Sequence, residues 1–337
     1  MIAILAFKTY YQSGAFNTIT NESPGTTQRL DGVPGVEDIT VDQATGIAFL
    51  SSMDRWQQKK DPTIDGAIYT LALNDTLPRP VVKTVDLPFE FKPHGISLYH
   101  SREGKTILFV INHRKEANYV EVFEYRNDSL IHRESITDPL MISPNDIVGV
   151  DERSFYFTND HNEKASAIRM IKDLLAIGTG NVVYYNNGKA SLTSVQGVQY
   201  PNGINLSALG TTLFVASTTG KEIIVCGHDA SSGELKERTR IACHAGVDNI
   251  ELGGDGALWV GCHPQMLKFL SHANDQQALS PSQILKLTPL PDGSFKQETI
   301  YMNDGSEISA SSVGAPYENK LLIGPVFQRH ILVLSIK

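Results

Sequence analysis

Pro144-Asn145-Asp146-Ile147 is the stretch whose reading decides the fold. It sets a polar pair ahead of an apolar run, Ile147, Val148 and Val150. Successive side chains on an extended backbone point to opposite sides. If the pair opens a strand, Asn145 and Asp146 serve two different places. An amide oxygen and a carboxylate are both hard-cation ligands, with Ca2+ their usual occupant. A lone Asn-Asp pair is ordinarily only a turn before a strand, so the case rests on what recurs elsewhere.

Polar residues ahead of a strand recur at Glu37, His94, Asn145, Asn202, Asn249 and Ser311, at spacings of 57, 51, 57, 47 and 62 residues. Between them run short β-like segments: 47–50, 67–73, 106–111, 119–125, 154–158, 182–185, 213–217, 222–226, 257–260 and 321–323. Turn pairs such as Asn187-Gly188, Asp255-Gly256 and Asp292-Gly293 separate them. The expected class is all-β. Repeats of this length, each the size of a four-stranded blade with loops, suit a six-bladed propeller; a sandwich pair and a β-helix are the alternatives. In a propeller the innermost strand of each blade starts near the axis. Glu37, Asn145, Asn202, Asp248 and Asn249 then converge as five oxygen donors, two carboxylates and three amides. With water or substrate they complete the six to eight ligands of Ca2+. Asp38 follows Glu37 as Asp146 follows Asn145, so the two acids point to a second site.

The chain has 337 residues, 20% charged and 41% hydrophobic, with a net charge of −8. That balance fits a globular protein with ample core and disfavours nucleic acid, whose phosphates need a basic surface. Of the three cysteines, Cys226 and Cys243 could face each other across a hairpin, and Cys262 reads as a buried free thiol. The apolar start, 1–7, is far short of the roughly 20 residues of a membrane span. It reads as a trimmed anchor or a strand. Four Asn-x-Ser/Thr triplets begin at Asn21, Asn74, Asn127 and Asn205. Residues 163–177 carry a helical period, expected as an amphipathic insertion, and 52–66 reads as a long polar loop of lid type.

Eight motifs resemble the paraoxonase/arylesterase family, in its order: Glu37-Asp38, Pro93 to Ser97, Asn112-His113, Asn145 to Val148, Thr158 to His161, Asn202 to Asn205, Val247 to Ile250 and Leu258 to Pro264. Leu321 to Gly324 and Val326-Phe327 extend the match. The resemblance implies a six-bladed β-propeller with two calcium ions in its channel and one or two short helices at the mouth. The expected unit is one domain over 1–337, closed by pairing of the N- and C-terminal strands. By motif the catalytic Ca2+ would be held by Glu37, Asn145, Asn202, Asp248 and Asn249. The structural Ca2+ would take Asp38, Asp146 and the backbone oxygen of Ile96. His94 and His113 match the family's histidine pair. The pocket positions would be Trp56, Tyr200, Val326 and Phe327. One departure is that the animal members join their ends by a disulfide; here the matching position is Val333, and no early cysteine exists.

The resemblance implies hydrolysis of lactones, acyl-homoserine lactones among the candidates, with aryl esters and phosphotriesters as lesser substrates. A cation with an open position polarises a carbonyl. His94 is the candidate base, with His113 orienting it or relaying its proton, and Glu37 or Asp248 as alternative bases. His161 and His263 read as supporting residues. A Gly-x-Ser-x-Gly nucleophile motif is absent. The rivals are a gluconolactonase-like sugar-lactone hydrolase, disfavoured by an expected mostly apolar pocket, a strictosidine synthase-like propeller, and a non-enzymatic binding platform. The expected location is extracytoplasmic. The expected partners are a small-molecule lactone or ester, and a membrane surface met through the N-terminus or a mouth helix.

Overall fold

The structure, a computed structural model, describes residues 10–163, 169, 172, 175 and 177–336. Six four-stranded antiparallel sheets stand as the blades of a propeller. Five are consecutive meanders, running outward from the axis. Blade one is β2 (Val36–Asp42), β3 (Ile47–Ser52), β4 (Ala67–Ala72) and β5 (Val81–Val82); blade two is β6 (Pro93–His100), β7 (Thr106–His113), β8 (Asn118–Arg126) and β9 (Ser129–Ile136). Blade three is β10 (Pro144–Asp151), β11 (Ser154–Asn159), β12 (Gly180–Asn186) and β13 (Lys189–Val198). Blade four is β14 (Pro201–Leu206), β15 (Thr212–Ser217), β16 (Glu222–His228) and β17 (Leu235–Ala242). Blade five is β18 (Gly246–Leu252), β19 (Leu258–His263), β20 (Ser282–Pro289) and β21 (Phe295–Asn303). Blade six combines β22 (Ser311–Tyr317), β23 (Lys320–Pro325) and β24 (His330–Ser335) with β1 (Thr27–Asp31) from the other chain end. There Gln28 pairs with Val333, so the position where the resembling family has a cysteine lies inside the joining ladder.

The core is divided between the blades. One apolar cluster fills each of the six junctions: Ile39 and Leu50 with Val313 and Leu322, for example, and Phe109 and Ile111 with Phe155 and Phe157. The other four junctions follow the same plan. Stacked sheets lie ~10 Å apart and bury one another's faces. Toward the axis they come too close for large side chains. A Cβ on Gly95 would fall 2.5 Å from the Asp146 Cα, and one on Gly203 would fall 2.4 Å from the Asp248 carbonyl oxygen. The apolar material is thus spent between blades, and the channel is left to polar residues.

Every innermost strand breaks register near its start, between Val36 and Asp38, Pro93 and Ile96, Pro144 and Ile147, Pro201 and Ile204, Val247 and Ile250, and Ser311 and Val313. Bulges bend a strand and re-aim its side chains. Asn145 and Asp146 therefore part company inside a bulge rather than along a regular pleat, which corrects the simple alternation expected from sequence.

Two short helices lie at the mouth, α1 (Arg55–Gln58) and α2 (Met266–Asn274). The loop expected over 52–66 thus contains a helical turn. Asp54 caps it by accepting the Gln57 N–H at 3.0 Å. Most of the helix expected over 163–177 lies outside the described residues. Cys226, Cys243 and Cys262 are free and buried. Cys226 sits opposite Glu237 in its hairpin, not opposite Cys243.

Candidate metal centre and histidine pair

The channel starts of blades one, three, four and five bring together the residues expected there. Glu37, Asn145, Asn202, Asp248 and Asn249 are all buried. Each keeps one buried oxygen without a hydrogen-bond partner: Glu37 Oε2, and Oδ1 of Asn145, Asn202, Asp248 and Asn249. Buried polar atoms are almost always paired. These five, half of the ten orphaned side-chain atoms found among the described residues, are all oxygen acceptors from one set of strand starts, which is what a site built for a cation presents.

In Glu37, Asp248 and Asn249 the rest of the side chain is committed elsewhere, which fixes the direction of the free oxygen. Asn249 Nδ2 donates to the Glu37 carbonyl at 2.8 Å and to Glu37 Oε1 at 3.0 Å. Asp248 Oδ2 meets His263 Nε2 at 2.7 Å, and the His263 ring packs on Phe269 with centroids 4.2 Å apart. Hydroxyls from neighbouring strands hold the channel backbone, Ser51 on the His94 carbonyl at 2.5 Å, Thr158 on that of Asn202 at 2.7 Å and Ser312 on that of Glu37 at 2.6 Å. Among the described residues no three His, Cys, Asp or Glu side chains form a group that could by itself hold a metal ion. A set of two carboxylates and three amides is hard-ligand chemistry, suited to Ca2+ rather than Zn2+.

Asp38 and Asp146 form a second arrangement. Asp38 accepts the Ile39 and Ile96 N–H groups at 2.8 and 2.7 Å. Asp146 repeats this one blade pair on, accepting Ile147 and Ile204 at 2.8 and 2.7 Å. Burial and neighbouring negative charge, Glu37 beside Asp38 and Asp38 beside Asp146, push both carboxyls well above the usual range. Glu251, which the sequence reading did not single out, is buried nearby and raised by its own burial and by Asp38. Its signal was present: it falls two residues after Asn249, on the same strand.

His94 and His113 meet at the channel edge, His94 Nδ1 to His113 Nε2 at 2.9 Å. The tautomers follow from their surroundings. Asn118 Nδ2 donates to the Met141 and Ile142 carbonyls at 3.0 and 3.3 Å, which leaves its Oδ1 to accept from His113 Nδ1 at 2.8 Å. His113 Nε2 is then the acceptor, and His94 must donate through Nδ1. In the neutral ring, His94 Nε2 is left with a lone pair, 3.5 Å from Glu37 Oε2. Burial and the nearby His94 and Arg55 charges hold His113 down to about 4, so it stays neutral. Burial works to raise Glu37, but the positive charge of a protonated His94, the charge of Arg55 and the hydrogen bond from Asn249 outweigh it and hold that carboxyl down at about 2.

The expected pocket residues divide. Trp56 stacks on Phe327 at 5.4 Å and 20°, and Val326 and Phe269 join this aromatic wall. Tyr200 lies apart, edge-on to His161 at 5.2 Å. His161 in turn meets Asp160 at 3.0 Å. The mostly apolar pocket expected from sequence is only half the mouth. The cavity beside the histidine pair, about 260 Å³, has a mixed lining that includes the charged residues Arg55, Lys92, Asp160 and Arg169. Arg55 comes from the turn α1 and was not foreseen. Phe269 was also missed, although Met266, Phe269, Leu270 and Ala273 have helical spacing.

Fold and site together define a six-bladed propeller whose channel gathers unpartnered oxygen atoms beside a histidine pair. The Arylesterase family model matches residues 33–333. The chain is 31% identical to serum paraoxonase/arylesterase 2 of Rattus norvegicus over 303 residues, 88% of this chain and 84% of that protein. It is 28% identical to serum paraoxonase/lactonase 3 of Oryctolagus cuniculus over 336 residues, 97% and 93% of the two chains. The chain belongs to the arylesterase family, and is a hydrolase of the ester and lactone class. Solved structures share the fold: a regucalcin of Agrobacterium tumefaciens, described as calcium-binding (TM-score 0.57, 15% identity, 94% and 96% coverage), and a periplasmic gluconolactonase of Pseudomonas aeruginosa (TM-score 0.51, 13% identity, 88% and 85% coverage).

Proposed function

We propose that this protein is a calcium-dependent lactonase with lesser arylesterase and phosphotriesterase activity. The observation that carries the reading is the set of five unpartnered buried oxygens. Glu37, Asn145, Asn202, Asp248 and Asn249 would hold the catalytic Ca2+. Asp38, Asp146 and the backbone oxygen of Ile96 would hold a structural one. When bound, the catalytic ion supplies a Lewis acid for the substrate carbonyl oxygen.

The chain's own groups handle the protons. His94 Nε2 takes a proton from the attacking water as its oxygen bonds to the carbonyl carbon. Glu37, ionised and 3.5 Å away, stabilises the imidazolium. His113 and Asn118 keep the Nδ1 proton of His94 in place, so that Nε2 is the basic nitrogen. The same proton then passes to the departing ring oxygen as the C–O bond breaks. Trp56, Phe269 and Phe327 cover one side of the mouth and keep bulk water from it.

The test is a panel of aliphatic lactones, acyl-homoserine lactones, phenyl acetate and an aryl phosphotriester, measured before and after chelation. Lactones lead in kcat/KM and chelation abolishes turnover. A phosphotriester that outruns every lactone sinks the reading. Among the described residues no helix is long and apolar enough to cross a membrane. Exposed Tyr10, Tyr11 and Phe16 lie beside α2, where Ser13 accepts the Met266 N–H. They support surface association with a membrane from an extracytoplasmic location, tested by co-sedimentation with lipid vesicles.

A further inference from the structure

The carboxylates of the channel are unequally compensated. Glu37 has Arg55 at 3.9 Å and His94 at 3.5 Å, and Asp248 has His263 at 2.7 Å. Asp38, Asp146 and Glu251 have no Lys, Arg or His partner among the described residues, and the charges acting on them are those of other acids. All three are buried.

Asp38 and Asp146 are each supported by two backbone N–H groups. Glu251, among the described residues, has one hydrogen-bond partner, the Thr40 hydroxyl at 3.5 Å. That is well past the roughly 2.5–3.0 Å of an ordinary O–H···O bond. Its placement follows from two rungs between β2 and β18. The first joins Asn249 to Glu37, and the second brings Glu251 to Thr40. Asp38 lies between Glu37 and Thr40 on β2, so the rungs bracket it. Buried charges are paired or coordinate metals. Glu251 has no partner charge, and Asp38 beside it deepens the deficit. With the histidines neutral and one Ca2+ in each of the two sites, five buried carboxylates, Glu37, Asp38, Asp146, Asp248 and Glu251, meet two ions and Arg55, and the channel carries no net charge. Without Glu251, Arg55 would leave it one positive charge in excess.

We infer that Glu251 is a positioning residue of the second cation site, the outer acid that sets how tightly Asp38 and Asp146 hold their ion and which ionic charge they prefer. This rests on the calcium reading of the channel and adds a residue to it. No group of three acids could by itself hold an ion among the described residues, so Glu251 acts through its charge rather than as a direct ligand. Its field reaches the ion because the channel is poorly solvated there and no cation screens it. The number of acids around a site tunes its affinity, and a third one favours cations of higher charge.

The experiment is calorimetry on the full chain after chelation, titrated with Ca2+ and separately with Tb3+. Asn145→Ala weakens the catalytic site, so the binding step that survives in that background reports the second site. There Glu251→Gln, which keeps the shape and drops the charge, lowers Ca2+ affinity by about 10–100-fold, the usual effect of losing an outer partner of a metal site. Coulomb energy scales with the charge of the ion, so the logarithmic loss for Tb3+ is about one and a half times that for Ca2+. Glu251→Asp keeps the charge and restores most of the affinity. In chelator the Tm of Glu251→Gln stays within about 1 °C of the parent or rises, because an uncompensated buried carboxyl has become an amide of the same shape. Unchanged Ca2+ affinity, equal losses for the two ions, or a Tm in chelator that falls along with the affinity overturns the inference and leaves the calcium reading standing. A parent that binds neither ion overturns both.

Discussion

Asn145 and Asp146 are neighbours that should fail differently. Asp146→Ala removes a carboxylate that accepts two buried N–H groups, Ile147 at 2.8 Å and Ile204 at 2.7 Å. The second belongs to the next blade, so the loss falls on a junction. Each stranded donor costs about 1–3 kcal/mol, or about 2–6 kcal/mol for the pair. Unfolding entropy of about 2.1 cal/mol/K per residue over 337 residues turns this into a Tm fall of about 3–8 °C. Asn145→Ala instead removes an acceptor that has no protein partner. In chelator its Tm should stay within about 1 °C of the parent or rise, because an unsatisfied buried atom has gone. With calcium, its activity should collapse while the propeller stays folded. The assay is a calcium titration of thermal stability on the parent and both variants, with lactone turnover alongside. Asp146→Asn, which can accept only one of the two N–H groups well, should fall between parent and Asp146→Ala. Equal Tm losses in Asn145→Ala and Asp146→Ala under chelation would refute the separation of their roles.

His94→Gln should lower lactone turnover by roughly 10²–10⁴-fold with calcium affinity from calorimetry unchanged; a near-full rate would pass the base role to Glu37 or Asp248. Asn118→Ala, which frees the His113 tautomer, should reduce kcat and distort its pH profile while KM holds; an unchanged profile would leave Asn118 with packing alone. Trp56→Ala should reorder the substrate panel more than it lowers stability, since an aromatic pair contributes only about 0.5–1.5 kcal/mol; a fixed order with a changed Tm would contradict this. In cation-free protein, burial and neighbouring acids hold Asp38 and Asp146 well above the usual carboxylate range. Groups protonated when folded and ionised when unfolded lend stability at low pH that is lost as pH rises through the folded value. The chelated protein should therefore lose Tm relative to the calcium-loaded protein as pH rises above the ordinary Asp value of about 4, and a gap that narrows with rising pH would contradict the assignment.

Much of the site was legible because its chemistry is carried by residue type at a repeating place. Glu37, Asn145, Asn202 and Asp248-Asn249 sit where a polar residue breaks into an apolar strand start, and that contrast survives without any coordinates. Second strands, and most third strands, were legible as apolar runs, being largely buried and rich in Val, Ile, Phe and Leu, as in β7 and β11. The outer strands were not. β17, Leu-Lys-Glu-Arg-Thr-Arg-Ile-Ala, is mostly exposed, and a solvated edge leaves no hydrophobic period to read. β13 is similar.

The sequence by itself determined the repeat, the all-β class and the two sets of oxygen donors, since these depend on local patterning and spacing. Tertiary structure alone decided three things. It set the bulge that turns Asn145 and Asp146 to different partners, because a register shift is a property of two strands and not of one. It settled which nitrogen of His94 keeps the lone pair, which follows from Asn118 and the carbonyls of Met141 and Ile142. It also brought Arg55, Lys92, Asp160 and Arg169 from distant segments to line one cavity beside the histidine pair. Charges far apart in the chain carry no pairwise signal in a single sequence, and only folding brings them within each other's field.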